Sequence, residues 1–209
     1  MTAGPRIAVL DYGIGNLRSA EKALQHVGAA ARLVTDAASV EAADAVVLRG
    51  VGAFGACARA LRESGLEDPA RAALAAGVPF FGLCVGFQLL YEDSVESPGA
   101  RGLGVFPGTV GPLPAGVKHP QMQWNTLDVR GEGEPAPLRG LGPHPWVYFV
   151  HSFAPPVGDE TVAVCDYGGP VAALVTRGAL WGAQFHPEKS GTTGLALLAN
   201  FVGTATSAA

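Results

Sequence analysis

Residues 78–88 read VPFFGLCVGFQ, and the fold class turns on how this stretch is divided. Residues 78–83 are a short apolar run, the pattern of a buried strand. The residues after the cysteine, GFQLLYE, read as a helix. Cys84 stands at the junction, with Gly82 and Gly86 each two positions away. Neither glycine has a Cβ to clash, so a tight turn is permitted. Strand, nucleophile and helix in a G-x-C-x-G frame form a nucleophile elbow. In that geometry the cysteine projects from the bend, and the amide of Val85 can face an oxyanion. The helix start adds partial positive charge, which favours the thiolate. A buried core cysteine, the usual fate of a free thiol, needs none of this.

Strand and helix signals alternate outward from the elbow. Residues 6–11 (RIAVLD) are an apolar run ended by Tyr12-Gly13 and read as a buried strand. Residues 16–27 place Leu17, Ala20, Ala23, Leu24 and Val27 on one helical stripe. Asn16 can cap that helix and Gly28 ends it. Residues 30–34 and 45–48 are two more strands, the second leading into Gly50 and Gly52. Residues 54–64 and 67–76 read as helices. This order predicts a three-layer α/β/α fold with a mostly parallel, doubly wound central sheet and sites at the carboxyl ends of its strands. From Gly99 to about Gly178 glycine and proline are frequent and helical periodicity is absent. Residues 146–150, 161–165 and 171–175 read there as short strands, a smaller antiparallel extension of the core sheet. Residues 180–185 (LWGAQF) are one more strand and residues 194–202 a closing helix. Residues 1–203 are expected to form a single domain, with 204–209 as a frayed tail.

The chain of 209 residues is long enough for one α/β domain with a full core. Hydrophobic residues make up 48% and charged residues 15%, below the usual quarter. So little charge suits a face covered by a partner, although abundant Ala and Gly account for it equally well. A net charge of -4 without a Lys/Arg cluster argues against nucleic acid. The apolar runs are short and broken by Gly or Pro, so no membrane span is expected. The first residues lead straight into a strand, with no signal peptide. Cys57, Cys84 and Cys165 show no metal-type spacing. The expectation is a cytoplasmic protein with reduced thiols, Cys57 and Cys165 being core residues.

A thiol nucleophile needs a proton acceptor, normally a histidine, and a group to hold that imidazole. His26 lies near a helix C-terminus, and His119 and His144 sit beside prolines in loops. His151 ends an aromatic strand, where a structural and a site-lining role are equally open. His186 ends the strand LWGAQF and begins His186-Pro187-Glu188-Lys189-Ser190. Proline restricts the chain there, and Glu188 can turn back to the imidazole and fix its tautomer. A satisfied surface histidine with a solvated acid fits the spacing equally well. What favours catalysis is that Cys84 and His186 both fall at carboxyl ends of strands.

GLCVGFQ together with FHPEKS resembles the class I, triad-type glutamine amidotransferases. DYGIGN (residues 11–16), GVGAF (50–54), GLGVFPG (102–108), MQWN (122–125) and YFVHSF (148–153) narrow the resemblance to the glutaminase subunits of imidazole glycerol phosphate synthase. The resemblance extends along most of the chain. It implies that Cys84 is the nucleophile, that His186 takes and later delivers the proton, and that Glu188 orients His186. It implies an oxyanion hole from the backbone amides of Val85 and Val51, within the strip Gly50–Gly52, whose Gly50 and Gly52 are implied to approach the substrate. Gln88 is implied to touch the bound L-glutamine, Glu96 to receive its α-ammonium, and Ser152 and Phe153 to flank it through their backbones. No metal or organic cofactor is implied. The implied partner is a separate (β/α)8-barrel cyclase subunit, which uses the ammonia to form imidazole glycerol phosphate and an aminoimidazole carboxamide ribotide in histidine biosynthesis. Trp124 and Asn125 are expected near that interface, with an ordinary core aromatic as the alternative for Trp124.

Three positions depart from the family pattern. Arg49 stands where proline usually precedes GVG, and Gln121 and Gln123 stand where histidine and glycine usually precede WN. An arginine brings five donors and a fixed charge to the strip, so it is expected either to change the strip's rigidity or to pair with the partner. Two other readings remain: a triad glutaminase serving a different synthase, and a non-catalytic scaffolding subunit that keeps the fold. The motifs DYGIGN and YFVHSF count against the first. The presence of Cys84, His186 and Glu188 together counts against the second.

Overall fold

The computed structural model describes residues 4–208. The chain opens with β1 (Arg6–Leu10), α1 (Leu17–His26), β2 (Ala30–Val34), α2 (Ala37–Glu41), β3 (Ala45–Gly50), α3 (Phe54–Glu63), α4 (Glu67–Ala75), β4 (Phe80–Cys84) and α5 (Val85–Gln88). Short strands follow: β5 (Asp93–Ser94), β6 (Thr109–Pro112), β7 (Gln121–Thr126), β8 (Asp128–Val129), β9 (Trp146–His151), β10 (Phe153–Ala154), β11 (Thr161–Asp166), β12 (Pro170–Arg177) and β13 (Leu180–Ala183). A 3-10 turn at Pro187–Lys189 leads into α6 (Gly191–Ala208).

The central sheet has eight strands in the order β2-β1-β3-β4-β13-β12-β11-β8. The strands from β2 to β13 run parallel, and β12, β11 and β8 continue the sheet antiparallel. Alternate residues of each parallel strand feed two buried clusters. Ile7, Val9, Val47 and Phe81 pack with Leu24 of α1 and Leu198 and Phe201 of α6. Leu10, Val46, Leu48 and Phe80 pack with Phe54, Leu61 and Ala70 of α3 and α4. A strand buried on both faces is apolar on both, which is why residues 45–48 of β3 and all of β4 read as unbroken apolar runs. Each such side chain contributes about 1.5–3 kcal/mol on burial.

The fold class is the expected α/β architecture, and several local expectations are corrected. The antiparallel region does not all join the core sheet. β7 and β9 form a separate two-stranded ribbon, and β10, β6 and β5 a separate small sheet. Asn16 occupies the cap position of α1 but makes no side-chain cap bond. Gly28, at φ +96°, does end that helix. The short helix α2 went unread in the sequence, although Asp36 caps it by accepting from the Ser39 amide at 2.9 Å. The segment after Cys84 is a single helical turn, Val85–Gln88, shorter than the expected helix over GFQLLYE. The chain end, expected to fray from residue 204, is helical through Ala208. Ala205 is buried in the core, and the hydroxyls of Thr204 and Thr206 donate to the carbonyls of Asn200 and Val202. Residue 209 lies outside the described residues.

Candidate active site

Backbone packing first explains where the cysteine stands. Cys84 is the last residue of β4, pairs with Gly50 across the sheet, and adopts φ +54° and ψ -114°. A side chain rarely takes this conformation, and holding it costs about 1–3 kcal/mol. The neighbouring glycines make the bend possible by close approach. A Cβ on Gly86 would stand 1.9 Å from the Leu48 carbonyl oxygen, and one on Gly50 would stand 2.8 Å from the Tyr12 hydroxyl. One α-helical turn carries little macrodipole, so activation by the helix start, expected from the sequence, has a weak basis here. Cys57 and Cys165 are free and fully buried, and burial raises both thiol pKa values.

His186 follows the end of β13 and is 1% exposed. Its amide donates to the Tyr148 carbonyl at 3.0 Å. Its carbonyl accepts from the Ser190 hydroxyl at 2.7 Å, and that hydroxyl also accepts from the Tyr148 amide. Ser190 thus ties the histidine turn to β9, a role the sequence did not reveal. On the ring, Nδ1 lies 2.9 Å from Glu188 Oε1, while Nε2 is buried and without a hydrogen-bond partner. Burial pulls the His186 pKa down, but Cys84 and Glu188 push it up further, to about 9. Burial likewise pushes Glu188 up, and His186 and Arg49 outweigh it, taking the carboxyl down to about 2. The side chains of Arg49 and Glu188 are 1% and 0% exposed, and they lie 2.9 Å apart. Of the two alternatives for Arg49, pairing with the partner is corrected: its side chain is buried against Glu188 within the chain.

A cavity of about 370 Å³ opens at this end of the sheet. Val51, Gly52, Cys84, Val85, Gln88, Glu96, Ser152, Phe153 and His186 all line it. Gly50 and Glu188 do not. Gly50 lies under the elbow, and Glu188 stands behind the imidazole. Pro120, Val150 and His151 complete the wall. The amide nitrogen of Gln88 donates to the Phe153 carbonyl at 2.9 Å and to Gln184 Oε1 at 3.1 Å. Gln184, fully buried, in turn points its own amide nitrogen at Cys84 Sγ, 3.9 Å away. Glu96 Oε2 accepts from the amide of Phe54, the first residue of α3, at 2.8 Å.

His151 is the second buried histidine of the cavity. Its Nδ1 is 2.9 Å from the Phe153 carbonyl and its Nε2 2.9 Å from the side-chain amide of Gln121. Burial takes its pKa down to about 4, with the neighbouring His186 adding to the effect. A neutral ring that donates from Nδ1 must accept at Nε2. The atom at Nε2 is Gln121 Oε1, so a neutral ring of this tautomer requires the carboxamide to turn over and present its NH2 instead. Among the described residues, no group of three or more His, Cys, Asp or Glu side chains is arranged to hold a metal ion.

Residues 8–205 match the family described as glutamine amidotransferase class-I. An imidazole glycerol phosphate synthase subunit HisH of Deinococcus radiodurans is 48% identical, the match covering 95% of this chain and 94% of that protein. The HisH subunit of Bacillus cereus strain G9842 is 43% identical, covering 94% of each chain. A crystal structure of a glutamine amidotransferase superimposes with a TM-score of 0.72 at 26% identity, covering 96% of this chain and 98% of that one.

Proposed function

The chain belongs to the class I glutamine amidotransferases and, among them, is a HisH-type glutaminase subunit of imidazole glycerol phosphate synthase in histidine biosynthesis, and we propose that Cys84, His186 and Glu188 are its catalytic triad. The observation that carries this reading is the pairing of a strained elbow cysteine with a buried imidazole. Glu188 holds that ring through Nδ1, and its Nε2 has no hydrogen-bond partner.

The steps follow from the proton positions. The Cys84 sulfur attacks the carboxamide carbon of L-glutamine, and the carbonyl oxygen becomes an oxyanion. The amides of Val51 and Val85, both beside Cys84 in the cavity, are proposed to receive it. An imidazolium that keeps its proton to about pH 9 is charged near neutrality, so His186 protonates the departing nitrogen, which leaves as ammonia. The remaining thioester is attacked by water, whose proton His186 takes, and glutamate leaves as the thiol is restored. Glu188 stays ionised throughout and stabilises the imidazolium. Glu96 uses one oxygen to hold the start of α3, and we assign the other to the substrate α-ammonium. Gln88, Ser152 and Phe153 form the walls that place the substrate, and Gly50 and Gly52 shape the strip that carries Val51. The steps require no cofactor.

The partner is proposed to be a separate (β/α)8-barrel cyclase that consumes the ammonia. Met122, Trp124 and Trp146 are 61%, 47% and 57% exposed on the β7–β9 ribbon. Met122 is paired with Val150, a cavity residue, so this apolar face runs to the mouth of the site, as a covered surface would. Asn125 instead bonds the Asp166 carbonyl. We place the protein in the cytoplasm. Among the described residues no helix is long and apolar enough to cross a membrane.

Cys84→Ala tests the reading. In the complex, glutamine-dependent synthesis is expected to vanish while ammonia-dependent synthesis persists. Synthesis still supported by glutamine would remove Cys84 from the role of nucleophile.

A further inference from the structure

The strongest unexplained feature is a buried arginine beside the histidine's carboxylate. Arg49 is the penultimate residue of β3 and directly precedes the glycine strip. Its Nε and Nη2 donate to Glu188 Oε1 at 3.2 and 2.9 Å. The same oxygen receives His186 Nδ1 at 2.9 Å, while Oε2 is buried and makes no hydrogen bond. All the hydrogen bonding of this carboxylate therefore converges on one atom, and two of its three donors come from Arg49. The backbone of Arg49 is held as well, since its carbonyl accepts from the Tyr12 hydroxyl at 2.6 Å. The third guanidinium nitrogen, Nη1, is buried beside Gly15, where a Cβ would stand 3.0 Å from Nη1 and 3.0 Å from a methyl of Val51.

We propose that Arg49 is a positioning residue for this triad: its guanidinium locks the Glu188 carboxylate against His186 and joins the triad to the strip that carries Val51. The proposal rests on the triad assignment above. A carboxylate held by the imidazole alone can rotate, and the imidazole it steers then loses its fixed orientation. The Arg49 guanidinium lies 2.9 Å from the carboxylate, so Glu188 keeps a counter-charge when His186 gives up its proton. The cycle demands this, because His186 alternates between charged and neutral while Glu188 stays ionised in a water-poor site. Arg49 does not line the cavity, so it acts on the chemistry rather than on substrate binding.

The test is glutamine hydrolysis by the full complex carrying Arg49→Met, Glu188→Gln, or both, with circular dichroism to verify folding. Arg49→Met is expected to lower kcat about 10–100-fold while KM stays within about twofold, a range typical of lost orientation in acid–base catalysis. Arg49→Lys, which restores the charge without the fork, is expected to fall between. In the Glu188→Gln background, adding Arg49→Met is expected to change kcat less than about threefold, because the residue acts through Glu188. A folded Arg49→Met with wild-type kcat overturns the proposal, as does a loss carried by KM alone. If the single variant does not fold, the charge-balanced double variant decides. A kcat matching Glu188→Gln supports the proposal, and a further tenfold loss overturns it. Cys84→Ala separates this question from the triad assignment. If Cys84→Ala still hydrolyses glutamine, the nucleophile is wrong; if it is inactive while Arg49→Met is normal, only the role of Arg49 fails.

Discussion

Two histidines stand on the walls of one cavity, and both are almost fully buried, His186 at 1% and His151 at 6% exposure. Their titration runs in opposite directions, to about 9 for His186 and about 4 for His151. Burial alone drives both rings toward the neutral form. The difference lies in the partners. His186 bonds a carboxylate and feels the nearby Cys84 sulfur, whereas His151 meets a peptide carbonyl and a carboxamide, neither of which carries charge. The cavity therefore holds one histidine ready to give a proton and another that stays neutral and fixes the backbone of Phe153. Burial alone does not prepare a histidine to hold a proton; a charged neighbour such as Glu188 does.

The sharpest way to break this contrast is to replace each ring by asparagine. His186→Asn is expected to lower glutamine hydrolysis on the order of 10³-fold or more, the scale of a lost general acid–base. His151→Asn is expected to cost less than about tenfold. Equal losses in steady-state assays would erase the distinction between the two walls. Gly15→Ala should have an effect far smaller than that of His186→Asn. Its backbone is at φ +93°, and the added methyl presses on Arg49 and Val51. About a tenfold fall in kcat is expected, with a lowered Tm. Wild-type kcat would mean that the triad and strip do not depend on that loop. The smallest effect concerns stability. The folded protein keeps His151 neutral down to about pH 4, while the unfolded chain takes up the proton near 6.5. The unfolded state thus binds more protons in that window, and stability falls as pH drops from 6.5 to 4. Denaturant unfolding of His151→Gln should show a shallower decline there, by on the order of 3 kcal/mol across the window. An unchanged slope would mean that His151 is not held neutral. For His186 the sign reverses: its contribution is present below about pH 6.5 and is lost as pH rises through about 9.

The local features of this protein were legible in the sequence and the long-range ones were not. The elbow lies within five residues, and Gly82 and Gly86 announce it. His186 and Glu188 are two residues apart, so their bond could be anticipated from spacing. The inner parallel strands declared themselves through short apolar runs such as residues 45–48 and 80–84, which are buried on both faces. Arg49 and Glu188 are 139 positions apart, and nothing near either residue hints at the other. The bond between Glu96 and the Phe54 amide likewise spans 42 positions. The ribbon β7–β9 carries the same alternating pattern whether or not it joins the core sheet, so pattern alone could not say that it separates. The final helix extends beyond the expected 194–202, and packing of Ala205 carries it past Gly203.

The backbone angle of Cys84 has one more consequence. At φ +54°, glycine would be the residue most at ease, and any side chain there is held against its preference by the sheet on one side and the turn on the other. Evolution is thus offered a bargain at this position: a sturdier fold in exchange for the sulfur. Cysteine at position 84 is therefore a choice the backbone alone does not favour. Its presence at a backbone angle that suits glycine supports the proposed use of the sulfur over a purely architectural role.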